Sequence, residues 1–116
     1  MTSPPALKNL FLWDGLVARH KDEFIEFLID RAGVKLERII SHGQTTPPGT
    51  WYDQDTDEWV VLLKGRASLE FDNGSSVHLT EGDYLLIPAG LRHRVSYTSK
   101  HPPCVWLALH LSNQQE

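Results

Sequence analysis

Glu58 leads the stretch EWVVLL, a carboxylate followed by five apolar residues that read as a buried strand. In a strand, residues of one parity share a face, so Glu58 falls with Val60 and Leu62, while Trp59, Val61 and Leu63 take the other side. A carboxylate on an apolar face wants a partner, because burying it alone costs several kcal/mol or raises its pKa. His93 stands between Arg92 and Arg94, and the same alternation turns both arginines away from the side the imidazole faces. One anion gripped by all three would need a bulge, and surface charge is the simpler reading of the arginines. An ion pair of Glu58 with Arg92 or Arg94 is the bland alternative to a site.

Other chemistry is thin. The acidic run DQDTDE just before Glu58 offers oxygens to a hard cation, but it lacks the glycine and the distal glutamate of a calcium loop and reads as a solvated turn. The chain has no glycine-rich phosphate loop, no nucleophile elbow and no His-Glu-x-x-His helix. Cys104, the only cysteine, lies between Pro103 and Val105 with no activating base nearby in sequence and reads as a buried strand residue.

The elements that must position these groups are mostly short strands. Glu58–Leu63, Ala67–Phe71, Ser76–Leu79, Tyr84–Ile87, His93–Tyr97 and Val105–Leu111 read as strands, and so does VKLERIISHG from Val34. Asp72-Asn73-Gly74 between two of them is a hairpin signal, because asparagine and glycine tolerate positive φ. Ahead of them, DEFIEFLIDR places Phe24, Phe27 and Leu28 at helical spacing, with acids at the start, Arg31 near the end and Gly33 as a stop, which predicts a helix over Asp22–Arg31. One helix followed by regularly spaced strands predicts a mainly β antiparallel sandwich or barrel. Residues 1–33 are expected to form an arm and helix packed on the barrel, 34–112 the barrel, and 113–116 a flexible tail.

At 116 residues, 41% hydrophobic and 22% charged, the chain suits a single core. A net charge of -4 and a pI near 5.8 give no reason to expect nucleic acid or anionic lipid as partner. With one cysteine, no apolar run of membrane length and no secretory signal pattern, the expectation is a soluble, cytoplasmic protein.

The segment GDYLLIPAGLRH resembles the second motif of the cupin superfamily: Gly82, five residues, Pro88, Gly90, two residues, His93, with Tyr97 where the family has asparagine. Glu58, six residues and Gly65 are similar to the back half of the first motif, and sixteen residues separate Gly65 from Gly82. The resemblance runs over roughly residues 36–111 and is to the small single-domain bacterial members. It implies a double-stranded β-helix, the jelly-roll cupin barrel, here with one N-terminal α-helix. It also implies that Glu58 and His93 meet across the barrel. The family's two motif-one histidines fall on Tyr52 and Gln54 counting back three from Glu58, or on Trp51 and Asp53 counting back four, so neither count yields an imidazole.

What the resemblance implies for function is a pocket lined by Tyr52, Gln54, Glu58 and His93 that binds a small molecule. Glu58 and His93 are the candidate catalytic groups, and His93, Glu58 and Gln54 the candidate ligands for a weakly held zinc, iron, nickel or manganese ion. The chemistry implied is oxidation, isomerisation or lyase chemistry on a small organic acid or sugar derivative. His42 and His110, near predicted strand ends, would restore imidazole ligands if they point inward. A metal-free binding or sensing module and a structural homodimer are the alternatives, and a homodimer is expected in each case, since a small barrel leaves strand edges to cover.

Overall fold

The computed structural model describes residues 3–13 and 22–112. Every helix or strand among them is a strand: β1 (Phe24–Arg31), β2 (Val34–Ser41), β3 (Thr56–Lys64), β4 (Ala67–Phe71), β5 (Ser76–Leu79), β6 (Tyr84–Ile87), β7 (His93–Thr98) and β8 (Cys104–Ser112). They form a five-stranded sheet in the order β1-β2-β8-β3-β6 and a three-stranded sheet in the order β5-β4-β7, antiparallel throughout. The tail expected at 113–116 lies outside the described residues.

The helix expected over Asp22–Arg31 is not formed. Phe24–Arg31 is instead β1, paired with β2 so that Phe24 faces Ile40 and Arg31 faces Val34. The run FIEFLI fits both templates: its apolar residues have i, i+3, i+4 neighbours, yet Ile25, Phe27 and Ile29 also alternate with Phe24, Glu26 and Leu28. What decides is tertiary: β2 offers a full edge of backbone donors and acceptors, and β-branched and aromatic side chains suit a pleated surface. Gly33, expected to end a helix, turns the hairpin at φ +81°.

The inner faces of the two sheets interdigitate as a sandwich. From β3 come Val60 and Leu62, from β8 Trp106 and Ala108, from β4 Leu69 and Phe71, all buried in one cluster. Leu62 and Ala108 have no exposed surface, and burying a leucine-sized side chain contributes roughly 2 kcal/mol. The predicted turn between β4 and β5 forms as expected, with Gly74 at φ +91° and the Ser75 amide donating to Asn73 Oδ1 at 2.9 Å. On the outer face, buried Arg38 pins the amino-terminal arm: its Nη1 donates to the carbonyls of Asn9, Leu10 and Leu12 at 3.0–3.2 Å, and its Nη2 pairs with Glu26. Among the described residues no helix is long and apolar enough to cross a membrane.

Candidate functional site

Parity places the site. Glu58 is the first inward residue of β3 that is buried, and across the sheet it faces Ile87 of β6 and His110 of β8. His93 opens β7 in the opposite sheet, on the face of Val95. The sandwich brings the two together: Glu58 Oε1 lies 3.4 Å from His93 Nε2, with Glu58 9% and His93 5% exposed. Arg94 is held elsewhere, its Nη1 on Glu70 at 2.7 Å, and Arg92 approaches Asp72 on the exterior, so neither arginine claims Glu58.

A carbonyl can only accept, so His93 Nδ1, 3.1 Å from the Leu91 carbonyl, carries a proton. Nε2 therefore presents to Glu58 either a lone pair or, in the imidazolium, a second N–H. Burial opposes the charged ring, but Glu58 and the Leu91 carbonyl outweigh it and hold the His93 pKa above its ordinary 6.5. At 3.4 Å the contact is longer than a well-formed N–H···O bond, and Glu58 Oε1 is buried with no hydrogen bond among the described residues.

Tyr52 and Gln54 reach the same place from the strip between β2 and β3. Tyr52 pairs with His93 through the backbone, amide to carbonyl at 2.7 and 3.1 Å, and lays its ring 5.6 Å from the imidazole. Burial, reinforced by Glu23, Glu58 and Glu37, raises the Tyr52 phenol pKa, so it stays protonated. Gln54 is tied by its carbonyl to the Gly90 amide at 2.8 Å, while its side-chain Oε1 is buried with no hydrogen bond among the described residues. Upstream, the Thr46 amide donates to the Val95 carbonyl and the Val95 amide to Thr46 Oγ1, both at 2.9 Å, and Thr98 Oγ1 donates to the Gln44 carbonyl at 2.6 Å. The strip is thereby fastened along β7. In the acidic run, Asp57 accepts from the Ala89 amide at 2.9 Å and braces the turn that precedes His93.

These groups line an inner cavity of about 110 Å³ floored by Val60, Leu69, Ile87 and Trp106. It adjoins two wider openings. One of about 1000 Å³ runs from Phe27, Lys35 and Glu37 to Asp53, Gln54 and Gly90, and the other, of about 450 Å³, from Glu23 and Ile25 to Thr46 and Tyr52. Two glutamates that the sequence did not single out complete the inner wall, Glu37 on β2 and Glu23 just before β1. Glu37 pairs with His110 Nε2, and that contact, outweighing burial, raises the His110 pKa. His110 thus points inward but is already engaged, whereas His42 packs edge-on against His101, ring centroids 5.8 Å apart, and lines none of these cavities.

Burial, with Glu37, Asp22 and Glu58 adding repulsion, raises the Glu23 pKa above 4.5 despite the hydroxyl of Ser41, which donates to it at 3.2 Å and itself accepts from the Trp106 indole. A raised carboxyl makes the folded state resist an ionisation that the unfolded chain undergoes near 4.5, so stability is lost as pH climbs from there through the folded value. His93 and His110 act in the same direction: their stabilisation is complete below 6.5 and fades as pH rises through their raised values. Glu23→Gln should therefore raise the melting temperature by about 2 °C at pH 8 and leave it unchanged at pH 4. Thermal unfolding at the two pH values checks this, and a lower melting point at pH 8 would contradict the repulsion.

The cupin domain matches residues 38–110, and the chain belongs to that family. Its fold superposes on a candidate mannose-6-phosphate isomerase from Ralstonia eutropha JMP134 with a TM-score of 0.83 and 42% identity over 93% of this chain and 99% of that one. A cupin superfamily protein from Desulfitobacterium hafniense DCB-2 superposes with a TM-score of 0.68 at 21% identity, over 94% of this chain and 100% of the other. A cupin domain from Bordetella pertussis Tohama I gives 0.61 at 24%, over 78% and 93%. No curated protein matches.

As a metal centre the donor set is poor. Among the described residues no three His, Cys, Asp or Glu side chains converge on a point that would hold an ion. Zinc, iron, nickel or manganese at this place would draw on one imidazole, one carboxylate and the neutral amide oxygen of Gln54, a set with one nitrogen donor for zinc, iron or nickel and one charged oxygen donor for manganese.

Proposed function

We propose that the protein binds a small organic molecule in the inner cavity and that Glu58 and His93 act on it as a proton-transfer pair. The observation that carries this reading is the buried carboxylate–imidazole contact of 3.4 Å at a cavity with an apolar floor. A carboxylate at the cavity can take a proton from a bound molecule, and the imidazole 3.4 Å away can return one. Isomerisation is chemistry of this kind, and the 42% identical protein bearing an isomerase name supports the reaction class. A hexose phosphate is a poor fit as substrate, since Glu23, Glu37 and Glu58 would repel an anion and the inner space of about 110 Å³ is small.

Incubating the protein in D2O with a panel of small hydroxy- and aminoketones tests the reading by carbon-bound hydrogen exchange in NMR spectra. Exchange that falls at least about 100-fold in Glu58→Gln is the expected result; exchange that persists in that variant would assign the chemistry to other groups. Elemental analysis of protein purified without chelator or metal-affinity tag is expected to give far less than one transition metal per chain. Stoichiometric metal lost in His93→Ala would replace this reading with a metal-dependent one.

A further inference from the structure

The inner cavity holds two buried hydrogen-bond acceptors that no donor among the described residues reaches. Several donors around it are engaged within the protein: His93 Nδ1 with Leu91, the Trp106 indole with Ser41, the Ser41 hydroxyl with Glu23, and the Tyr52 phenol with Thr46. Two acceptors have no hydrogen-bond donor among the described residues, Glu58 Oε1 and Gln54 Oε1, and both atoms are buried. A buried acceptor left without a donor costs about 1–3 kcal/mol, so two at one cavity mark a place where a ligand supplies the missing hydrogens.

Charge narrows the class further. Three carboxylates, Glu23, Glu37 and Glu58, line the cavity against one imidazole, His93. Counting His110, which sits behind Glu37, two imidazoles face three carboxylates, and a negative excess of one remains when all five are ionised. The wider opening does not decide the matter, since Arg31 and Lys35 share it with Asp53 and Asp55. The selection is made inside.

We propose that the ligand of this cavity is a small primary amine in its ammonium form, held by Glu58 Oε1 and Gln54 Oε1 with its short carbon body on Val60, Ile87 and Trp106. An ammonium group brings three N–H donors and one positive charge, and so satisfies both orphaned oxygens and the carboxylate excess together. A neutral alcohol brings one donor and no charge, and a carboxylate brings no donor and a charge of the wrong sign. This inference rests on the small-molecule reading above and names the chemistry of its ligand.

The test is an NMR shift titration of the full chain at pH 8 with three probes of nearly equal size: ethylammonium, ethanol and acetate. Ethylammonium is expected to move the signals of Gln54, Glu58 and the Trp106 indole, with an affinity at least about 10-fold above either other probe. Glu58→Gln and Glu37→Gln should each weaken it several-fold, with the spectrum of each variant reporting that it remains folded. If acetate or ethanol binds in the cavity as tightly as ethylammonium, the ammonium assignment fails and the cavity reading stands. If none of the three moves cavity signals and no ketone exchanges hydrogen, both fail. Ethylammonium binding that is unaffected in both variants places it elsewhere and overturns the proposal, as does manganese(II) broadening the Glu58 and His93 signals at concentrations below those at which ethylammonium binds.

Discussion

Glu58→Ala is expected to lower the unfolding free energy by about 2–3 kcal/mol at pH 6, whereas Glu58→Leu combined with His93→Leu is expected to be as stable as the parent or up to about 2 kcal/mol more so. The single change strands a buried imidazole whose Nε2 faces Glu58 and whose raised pKa depends in part on the carboxylate being there. The double change removes both polar groups at once and extends the apolar floor of Val60, Leu69 and Ile87 into the space they leave. A buried ion pair with good geometry loses more when one member is deleted, but a contact of 3.4 Å and an unbonded Oε1 place this one at the low end. Urea unfolding of the parent, both single leucine variants and the double variant gives the coupling directly. A double variant as unstable as the two single losses added together would mean that the pair does not interact. A stable double variant without ligand binding would show that the two groups are kept for what they do and weaken the fold that holds them.

Gly65→Ala is the change expected to cost most at a single position outside the site, about 3–4 kcal/mol. Gly65 ends the β3 stretch at φ +95°, a conformation that disfavours any Cβ, and the added carbon would lie 2.8 Å from Ser99 Oγ and 3.0 Å from both the Cα and the Sγ of Cys104. Backbone and a fully buried thiol cannot move aside as the end of a long side chain can. Gly74→Ala is the control: φ is +91°, yet nothing lies within 4 Å of the new Cβ, so only the backbone term of about 1–2 kcal/mol remains. Equal losses in the two variants would remove the steric half of the argument.

Most of the strand framework could be read from the chain because its punctuation is chemical. Asn73-Gly74 turns where it was expected, and β4, β5 and β6 have the predicted bounds. The convergence of Glu58 and His93 followed from strand parity together with the family motif. β1 was misread because eight residues with apolar groups on both parities satisfy two periods at once, and the partner that chooses between them, β2, is a tertiary fact. Glu37 and Glu23 escaped for a related reason. Lys35, Glu37 and Ile39 alternate with Leu36, Arg38 and Ile40, so each parity of β2 carries both charge and apolar surface, and alternation does not say which one faces in. Only the register of β2 against β8, which sets Lys35 opposite His110, puts Glu37 beside that imidazole.

The fastening of residues 44–54 along β7 makes that side of the barrel a fixed jamb. Both ways into the cavity pass between this jamb and residues on or beside β1, Glu23 and Ile25 at one, Phe27 at the other. β1 is an outermost strand bonded to β2 alone. One side of both doorways is therefore set by β1 and the residue just before it, so changes at Glu23, Ile25 or Phe27 would alter their width without touching Glu58 or His93.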